Sequence, residues 1–314
     1  MALEPGYYRH PTIAGDTVVF VSEDDLWQVS SQGGRPRRLT AGPGTSTFPV
    51  LSPDGRRVAF TGRDDGPAEA YVLDLDGGSP RRLTWFGAFT ATVGWSRDGT
   101  AVVVASDVGQ PFRGYYHLHE VPLDGGPSRP LGMGPARAIS FQPQGPGVVI
   151  GRNSGDPARW KRYRGGTAGT LWVDRRGDGE FVPLLTLRGN LASPMWIGAR
   201  IWFLSDHEGH GNLYSCTPEG AELRRHTGHE DFYVRFPQSD GRRVVHHAGA
   251  DLYVVDAATG VERKLDLEGA GPRAGRARRF VPATRHVEDV DVHPEGHTLA
   301  CVARGGLFTT GLWD

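Results

Sequence analysis

Short runs of β-branched and aromatic residues, separated by glycine-rich turns, follow one another along almost the whole chain. The clearest example extends from Phe48 to Thr84 and contains four such runs. Pro53-Asp54-Gly55 separates the first two runs, and Gly77-Gly78 precedes the last one. Four runs joined by turns of this kind predict four short strands paired as an antiparallel meander. One such sheet cannot bury both of its faces, so it must pack against further sheets.

The unit recurs along the chain. The residue before each turn glycine marks the repeat, and these markers lie 40 to 55 residues apart, at Ala14, Asp54, Asp98, Gln144, Ile197, Asp240 and Glu295. A four-stranded repeat of this length is typical of a β-propeller blade. The sequence therefore predicts an all-β protein, a six-bladed β-propeller of four-stranded antiparallel blades with an incomplete extra unit at the C-terminus. The run from Ala101 to Ala105 shows no alternation, which predicts a strand buried on both faces.

Three segments are expected from this pattern. Residues 1–268 form the six-bladed propeller, and residues 269–279 form a linker rich in glycine, alanine, arginine and proline. Residues 280–314 start a further unit. Two interpretations of this last segment stay open: its strands complete the first blade and close the ring, or they begin a second, truncated propeller. The linker favours the second interpretation.

Composition narrows the range of functions. The formal net charge is -1, so we expect neither nucleic acid nor an anionic membrane as a partner. No stretch approaches the roughly 20 apolar residues of a membrane span, and the first ten residues lack the pattern of a secretory signal. Cys216 and Cys301, the only cysteines, fall in different units, which favours a reducing compartment. We therefore expect a cytoplasmic protein.

Known catalytic motifs do not stand out. His207 and His210 flank Glu208, but they are three residues apart in a glycine-rich hairpin. The zinc-protease motif instead needs two histidines four apart on a helix, so a polar loop is the better interpretation. A Gly-x-Ser-x-Gly elbow and a phosphate-binding loop are both missing from the sequence. The sequence predicts no catalytic residues, no metal and no cofactor.

Two further pairs of histidines carry less specific signals. His226 and His229 lie near two acidic residues, and they form either a pH-sensitive cluster or a solvated rim of a blade. His246 and His247 are adjacent in a predicted strand, so their rings should point to opposite faces of the sheet. These two rings therefore cannot chelate one ion together.

The most distinctive functional candidate is a basic stretch in the fourth unit. Trp160 and Tyr163 interleave there with cationic side chains, of which we single out Arg152, Lys161, Arg162 and Arg164. Guanidinium groups bind carboxylates through two parallel hydrogen bonds, so this stretch is a candidate for holding peptide C-termini or acidic side chains. The alternative is that the aromatic residues pack the loop onto neighbouring blades while the cations are solvated.

The sequence also resembles a known family over nearly its whole length. The N-terminal propeller of tricorn-type peptidases is similar in four places: at residues 10–27 (His10-Pro11 to Leu26-Trp27), at Gly134-Pro135-Ala136, at Ile150-Gly151-Arg152-Asn153 with residues 160–167, and at residues 223–227. The repeated Ser-Pro-Asp-Gly-Arg unit alone would also fit the propeller of TolB-like proteins.

The resemblance implies a function beyond what the residues show. Tricorn-type proteins are cytosolic serine peptidases that degrade oligopeptides, with a six-bladed propeller, a second propeller, and PDZ-like and catalytic domains. The chain would then be a non-catalytic segment that gates or channels peptides and products. Its partners would be oligopeptides and the remaining domains, and self-association into a homo-oligomer is compatible with this. The alternative is a free-standing TolB-like propeller that acts as a protein- or peptide-binding scaffold.

Overall fold

The computed structural model describes residues 6–64, 66–269 and 281–313. The chain divides into two compact units, Met1–Gly271 and Pro272–Asp314. Apart from Gly269, the predicted linker lies outside the described residues. The division into a propeller, a linker and the start of a second propeller stays a prediction.

The described part of the first unit contains six four-stranded antiparallel sheets, each built from four consecutive strands. Blade one consists of β1 Tyr8–Ala14, β2 Thr17–Ser22, β3 Asp25–Ser30 and β4 Gly33–Arg38. Blade two consists of β5 Ser46–Leu51, β6 Arg57–Gly62, β7 Glu69–Asp74 and β8 Arg81–Arg82. Blade three consists of β9 Thr90–Trp95, β10 Ala101–Ser106, β11 His117–Pro122 and β12 Arg129–Pro135.

The second half of the first unit repeats this arrangement. Blade four consists of β13 Ala138–Phe141, β14 Val148–Arg152, β15 Thr170–Asp174 and β16 Val182–Pro183, with a short 3-10 helix, Pro157–Arg159, between β14 and β15. Blade five consists of β17 Leu191–Ile197, β18 Arg200–Ser205, β19 Asn212–Cys216 and β20 Arg224–Arg225. Blade six consists of β21 Val234–Ser239, β22 Arg243–Ala248, β23 Asp251–Asp256 and β24 Glu262–Lys264.

The hairpin turns form through the chemistry that the sequence predicts. Gly55 has a φ of +68°, a left-handed conformation that glycine adopts without steric cost. The carboxylate of Asp54 accepts a hydrogen bond from the backbone N–H of Arg56 at 3.0 Å, which closes the turn between β5 and β6. Strand β10, which the sequence predicts to be buried on both faces, is buried at every position.

The innermost strands of the six blades form a closed ring. Strand β1 contacts β5, and the series continues through β9, β13 and β17 to β21, which contacts β1 again. Two backbone contacts join the last blade to the first. The N–H of Tyr8 donates to the carbonyl of Ala250 at 3.1 Å, and Gly34 forms a bridge with Leu267. The predicted six-bladed ring is confirmed.

The hydrophobic core of the first unit consists of six clusters, one between each pair of neighbouring blades. In the cluster between blades six and one, Phe20 and Trp27 pack with Val245 and Leu252. In the cluster between blades one and two, the fully buried Phe60 is central. Each sheet thus buries both of its faces, which removes the apolar surface that a single blade would expose to water.

The second unit contains a three-stranded antiparallel sheet, formed by β25 Val287–Val292, β26 Thr298–Ala303 and β27 Gly306–Gly311. A short 3-10 helix, Ala283–Arg285, precedes it. These strands pair among themselves, whereas blade one takes its four strands from residues 8–38. The start of a second propeller stays a prediction for this sheet.

Candidate functional site

A cavity of about 540 Å³ lies at the centre of the ring, and we call it the axial cavity. Residues of the innermost strand of every blade line it, among them His10, Phe48, Thr92, Ile139, Ser193 and Phe236. The ring closure described above therefore produces the cavity, because no single blade could enclose it.

Four of the six innermost strands carry the same irregularity where they face the axial cavity. The pairing register shifts at His10-Pro11, Phe48-Pro49, Ser193-Pro194 and Phe236-Pro237. The residue before each proline has a φ between +47° and +50°. A bulge of this kind leaves a residue unpaired and changes the direction of its side chain. All four positive-φ residues line the axial cavity, so the bulges shape its wall.

The bulges bring a group of aromatic and histidine rings together on one side of the axial cavity. The His10 ring stacks on Phe236 at 4.1 Å between ring centroids and meets Phe48 edge-on at 4.6 Å. The Nδ1 atom of His247 accepts a hydrogen bond from the N–H of His10 at 3.3 Å. Two buried ring atoms, Nδ1 of His10 and Nε2 of His247, have no partner among the described residues. Unpaired buried polar atoms are candidates for contact with a ligand or water.

Both of these histidines are neutral at neutral pH. Burial lowers the pKa of His10 to about 3, and the nearby guanidinium groups of Arg9 and Arg235 act in the same direction. Burial likewise lowers the pKa of His247 to about 2, with His10 and Arg235 as further causes. Charge in the axial cavity therefore comes from arginine and aspartate side chains.

The lining of the axial cavity is strongly cationic. Five arginines contribute to it, namely Arg9, Arg63, Arg137, Arg159 and Arg235, and Asp156 is the one carboxylate among the described lining residues. Arg235 pairs with Asp156 at 2.5 Å, and Asp156 also caps the 3-10 helix by accepting from the N–H of Ala158. One carboxylate cannot neutralise five guanidinium groups, so the axial cavity favours a ligand with carboxylate groups.

The predicted basic candidates lie elsewhere. Arg152 lines a separate cavity of about 580 Å³, where its guanidinium lies 4.3 Å from the ring centre of Trp172 and burial lowers its pKa. Lys161 packs over the ring of Tyr233 at 5.1 Å, and both Arg162 and Arg164 are exposed. None of the four belongs to the described lining of the axial cavity. Their role in binding peptides stays a prediction.

Other residues of the same loop do reach the axial cavity. Asp156, the N-cap of the 3-10 helix, and Arg159, its last residue, both line it. Trp160, which follows directly, remains 68% exposed, so it does not pack the loop onto a blade. Sequence reasoning identified the loop and its basic character, Arg159 included, but it did not choose Arg159 as a site candidate and it missed Asp156. The repeated X-Pro pattern in the innermost strands was a usable signal, since proline in a strand often marks a bulge.

The segment His207-Glu208-Gly209-His210 is part of a polar hairpin, and its side chains bond to neighbouring polar groups. His207 lies 3.0 Å from the hydroxyl of Ser205, and Glu208 accepts hydrogen bonds from Tyr214 and Arg225. His226, by contrast, stacks on Trp202 at 3.6 Å between ring centroids, away from His229. The two rings lie in different environments, so neither predicted alternative, a pH-sensitive cluster or a solvated rim of a blade, describes both His226 and His229.

The fold and the cavity define the class of protein: a six-bladed β-propeller with a cationic axial cavity. Comparison with known proteins gives the family. The family model of the "Tricorn protease N-terminal beta propeller domain" matches residues 5–261, and the chain belongs to this family.

None of the helices among the described residues has the length and the apolar character of a membrane span.

Relatives and solved structures agree with this assignment. The chain is 41% identical to "Tricorn protease homolog 1" of Streptomyces coelicolor over 311 residues. This alignment covers 96% of this chain and 28% of the relative. The crystal structure of the tricorn protease matches with a TM-score of 0.78 and 30% identity, over 98% of this chain and 30% of that one. TolB from Acinetobacter baumannii shares the fold alone, with a TM-score of 0.51 and 13% identity over 84% of this chain and 60% of that one.

The length of the match limits what the family transfers to this chain. The chain spans 26% to 29% of the length of the first curated relatives that it matches. The activity and the partners of those longer proteins therefore belong to the proposals below.

Proposed function

We propose that the propeller holds or channels oligopeptides through its axial cavity, by binding their carboxylate groups, as a non-catalytic part of a cytoplasmic tricorn-type peptidase. The observation that supports this most is the axial cavity itself, where five arginines face one aspartate. A peptide presents a C-terminal carboxylate and any acidic side chains, and guanidinium groups bind such groups in pairs of hydrogen bonds. The buried unpaired nitrogens of His10 and His247 add sites for polar backbone groups.

The partners of the propeller would be the remaining domains of the peptidase. The relatives are about three to four times as long as this chain, which leaves room for catalytic domains. Since catalysis would then lie outside these residues, we expect the isolated chain to bind short peptides without hydrolysing them. Turnover of peptides by the isolated chain would contradict a non-catalytic role.

The proposal is tested by comparing two labelled peptides that differ only at the C-terminus, one a free acid and the other an amide. We expect the free acid to bind the chain about tenfold more tightly, which corresponds to about 1.4 kcal/mol. Fluorescence anisotropy measures both affinities. Equal affinities would contradict recognition of the carboxylate.

Paired substitutions then locate the site. Arg63 and Arg159 are exposed and line the axial cavity, so Arg63→Gln with Arg159→Gln should weaken binding of the free acid without disturbing the fold. Arg188 is exposed and outside the described lining, so Arg188→Gln is the matched control. If the control weakens binding as much as the paired substitution, the peptide binds outside the axial cavity.

A further inference from the structure

Three side chains with metal-binding atoms converge where blade five connects to blade six. His229 lies in the connection between β20 and β21, His246 lies in β22, and Glu262 begins β24. The Oε1 atom of Glu262 lies 2.7 Å from Nε2 of His246 and 3.0 Å from Nε2 of His229. The three ligand atoms lie within 4.8 Å of one another. Segments that are distant in sequence thus present two imidazoles and a carboxylate to one point.

The spacing of these atoms is close to that of a metal site. In a tetrahedral zinc site with bonds of about 2.0–2.2 Å, neighbouring ligand atoms lie about 3.3 Å apart. The two nitrogen–oxygen distances in the cluster, 3.0 Å and 2.7 Å, need to lengthen by about 0.3 Å and about 0.6 Å to reach this value. Small side-chain rotations are enough for such a change, so the backbone need not move.

The surrounding residues hold the two imidazole rings in place. The ring of Tyr253 stacks on His246, with 5.4 Å between centroids and 8° between planes. The same ring meets His229 edge-on at 4.9 Å. The buried side chain of Asn212 accepts from the N–H of His229 at 2.9 Å and donates to its carbonyl at 3.0 Å. His229 is therefore fixed by the neighbouring blade rather than carried on a free loop.

Charge and burial also suit a divalent cation. The side chain of His246 is fully buried, whereas His229 and Glu262 keep 16% and 24% exposure. Glu262 is the acidic member of the cluster, and the two histidines supply imidazole nitrogens, so the cluster offers the ligand types that Zn²⁺ takes in proteins. The partial exposure of His229 and Glu262 leaves room for water as a fourth ligand.

We propose that His229, His246 and Glu262 bind one divalent transition-metal ion, for which Zn²⁺ is the best match. Zinc favours nitrogen and oxygen ligands of this type in tetrahedral geometry, whereas magnesium and calcium favour sites made of oxygen ligands alone. The bound ion would join the connection between blades five and six to the second and outermost strands of blade six. It would therefore stabilise the propeller at this junction, independently of any peptide in the axial cavity.

A second cluster, formed by His293, Glu295 and His297 in the second unit, provides an internal control. Its ligand atoms are equally close to one another, but all three residues are exposed. The rings of His293 and His297 stack on each other at 4.1 Å between centroids. Exposed side chains lose more entropy on binding than buried ones that are already held in place, so this cluster should bind zinc more weakly.

The experiment uses the untagged full chain, stripped of metal, in competition with a chromophoric zinc chelator. We expect one tight equivalent of Zn²⁺ per chain and a rise of several degrees in the melting temperature when it is added. Glu262→Gln and His229→Gln should each weaken the tight site by at least about tenfold. The double variant His293→Gln/His297→Gln should keep it. Circular dichroism of the metal-free proteins checks that each variant folds.

Either of two results would overturn the proposal. In the first, the wild-type protein binds Zn²⁺ no more tightly than the Glu262→Gln variant does. In the second, the tight binding is lost in the His293→Gln/His297→Gln variant. His246→Gln is not the first choice, because the residue is fully buried and its replacement can prevent folding. The variants of His229 and Glu262, which are only partly buried, give an answer that does not depend on it. Replacement of Zn²⁺ by Co²⁺ adds a second readout, since a tetrahedral site gives intense visible absorption.

Discussion

Buried histidines make the stability of this propeller depend on pH. The ring of His226 stacks on Trp202, and burial lowers its pKa to about 4, with Arg200 and Arg224 as additional causes. Unfolding restores the ordinary value of about 6.5. Between these two values the unfolded state binds more protons than the folded state. The stabilising effect is therefore complete above pH 6.5 and is lost as the pH falls towards 4.

This argument predicts the behaviour of His226→Phe. Phenylalanine keeps the stacking on Trp202 but cannot be protonated, so the free energy of unfolding should fall less steeply between pH 6.5 and 4 than in the wild type. Urea denaturation at several pH values measures the slope. Some slope should remain, because His10 and His247 act in the same direction. An unchanged slope would show that His226 does not titrate on unfolding.

At the same scale, sequence patterns predicted only part of the candidate site. It identified a basic loop, but Arg152, Lys161, Arg162 and Arg164 lie outside the axial cavity, while Asp156 and Arg159 line it. Which residues of a loop face an axis depends on the neighbouring blades and on the short helix at Pro157–Arg159. Residue spacing within one loop cannot reveal that.

Within the blades, a buried threonine repeatedly joins the third strand to the segment that follows the fourth. In blade two, the Thr84 hydroxyl donates to Glu69 at 2.5 Å and accepts from the N–H of Ala70 at 2.9 Å. Thr40 and Thr227 make the corresponding contacts in blades one and five. Each of these threonines ends a segment of the form Arg-x-Thr, so the recurrence of that segment in three blades reflects a hydrogen-bond requirement: Arg38-Leu39-Thr40, Arg82-Leu83-Thr84 and Arg225-His226-Thr227.

Replacing this hydroxyl should be costly. In Thr84→Val, the buried Glu69 loses a hydrogen-bond donor and Ala70 loses an acceptor, so we expect a loss of about 1–3 kcal/mol in the free energy of unfolding. The exposed Thr186→Val should change it by less than about 0.5 kcal/mol. Chemical denaturation at pH 7 compares the two variants with the wild type. Equal stabilities for both variants would contradict the structural role of Thr84.

At the scale of the whole molecule, the sequence repeat determines the fold of the blades. Closure of the six blades into a ring then forms the axial cavity. The period of the apolar runs predicted six four-stranded blades because each blade is a local unit with its own turns. The axial cavity could not be predicted in the same way. Its wall comes from six strands that are far apart in sequence, and four of them turn a residue inward through an X-Pro bulge. Local patterning does not contain that geometry.

The central claim is that the axial cavity binds carboxylates of peptides, and hydrogen exchange measured by mass spectrometry tests it most directly. With a saturating free-acid peptide, exchange should slow in the innermost strands, above all around His10, Phe48 and Phe236, and in the segment from Asp156 to Arg159. The amidated peptide at the same concentration should give weaker protection at the same places. Protection confined to the exposed segment from Lys161 to Thr167, or to the outer strands, would contradict the account.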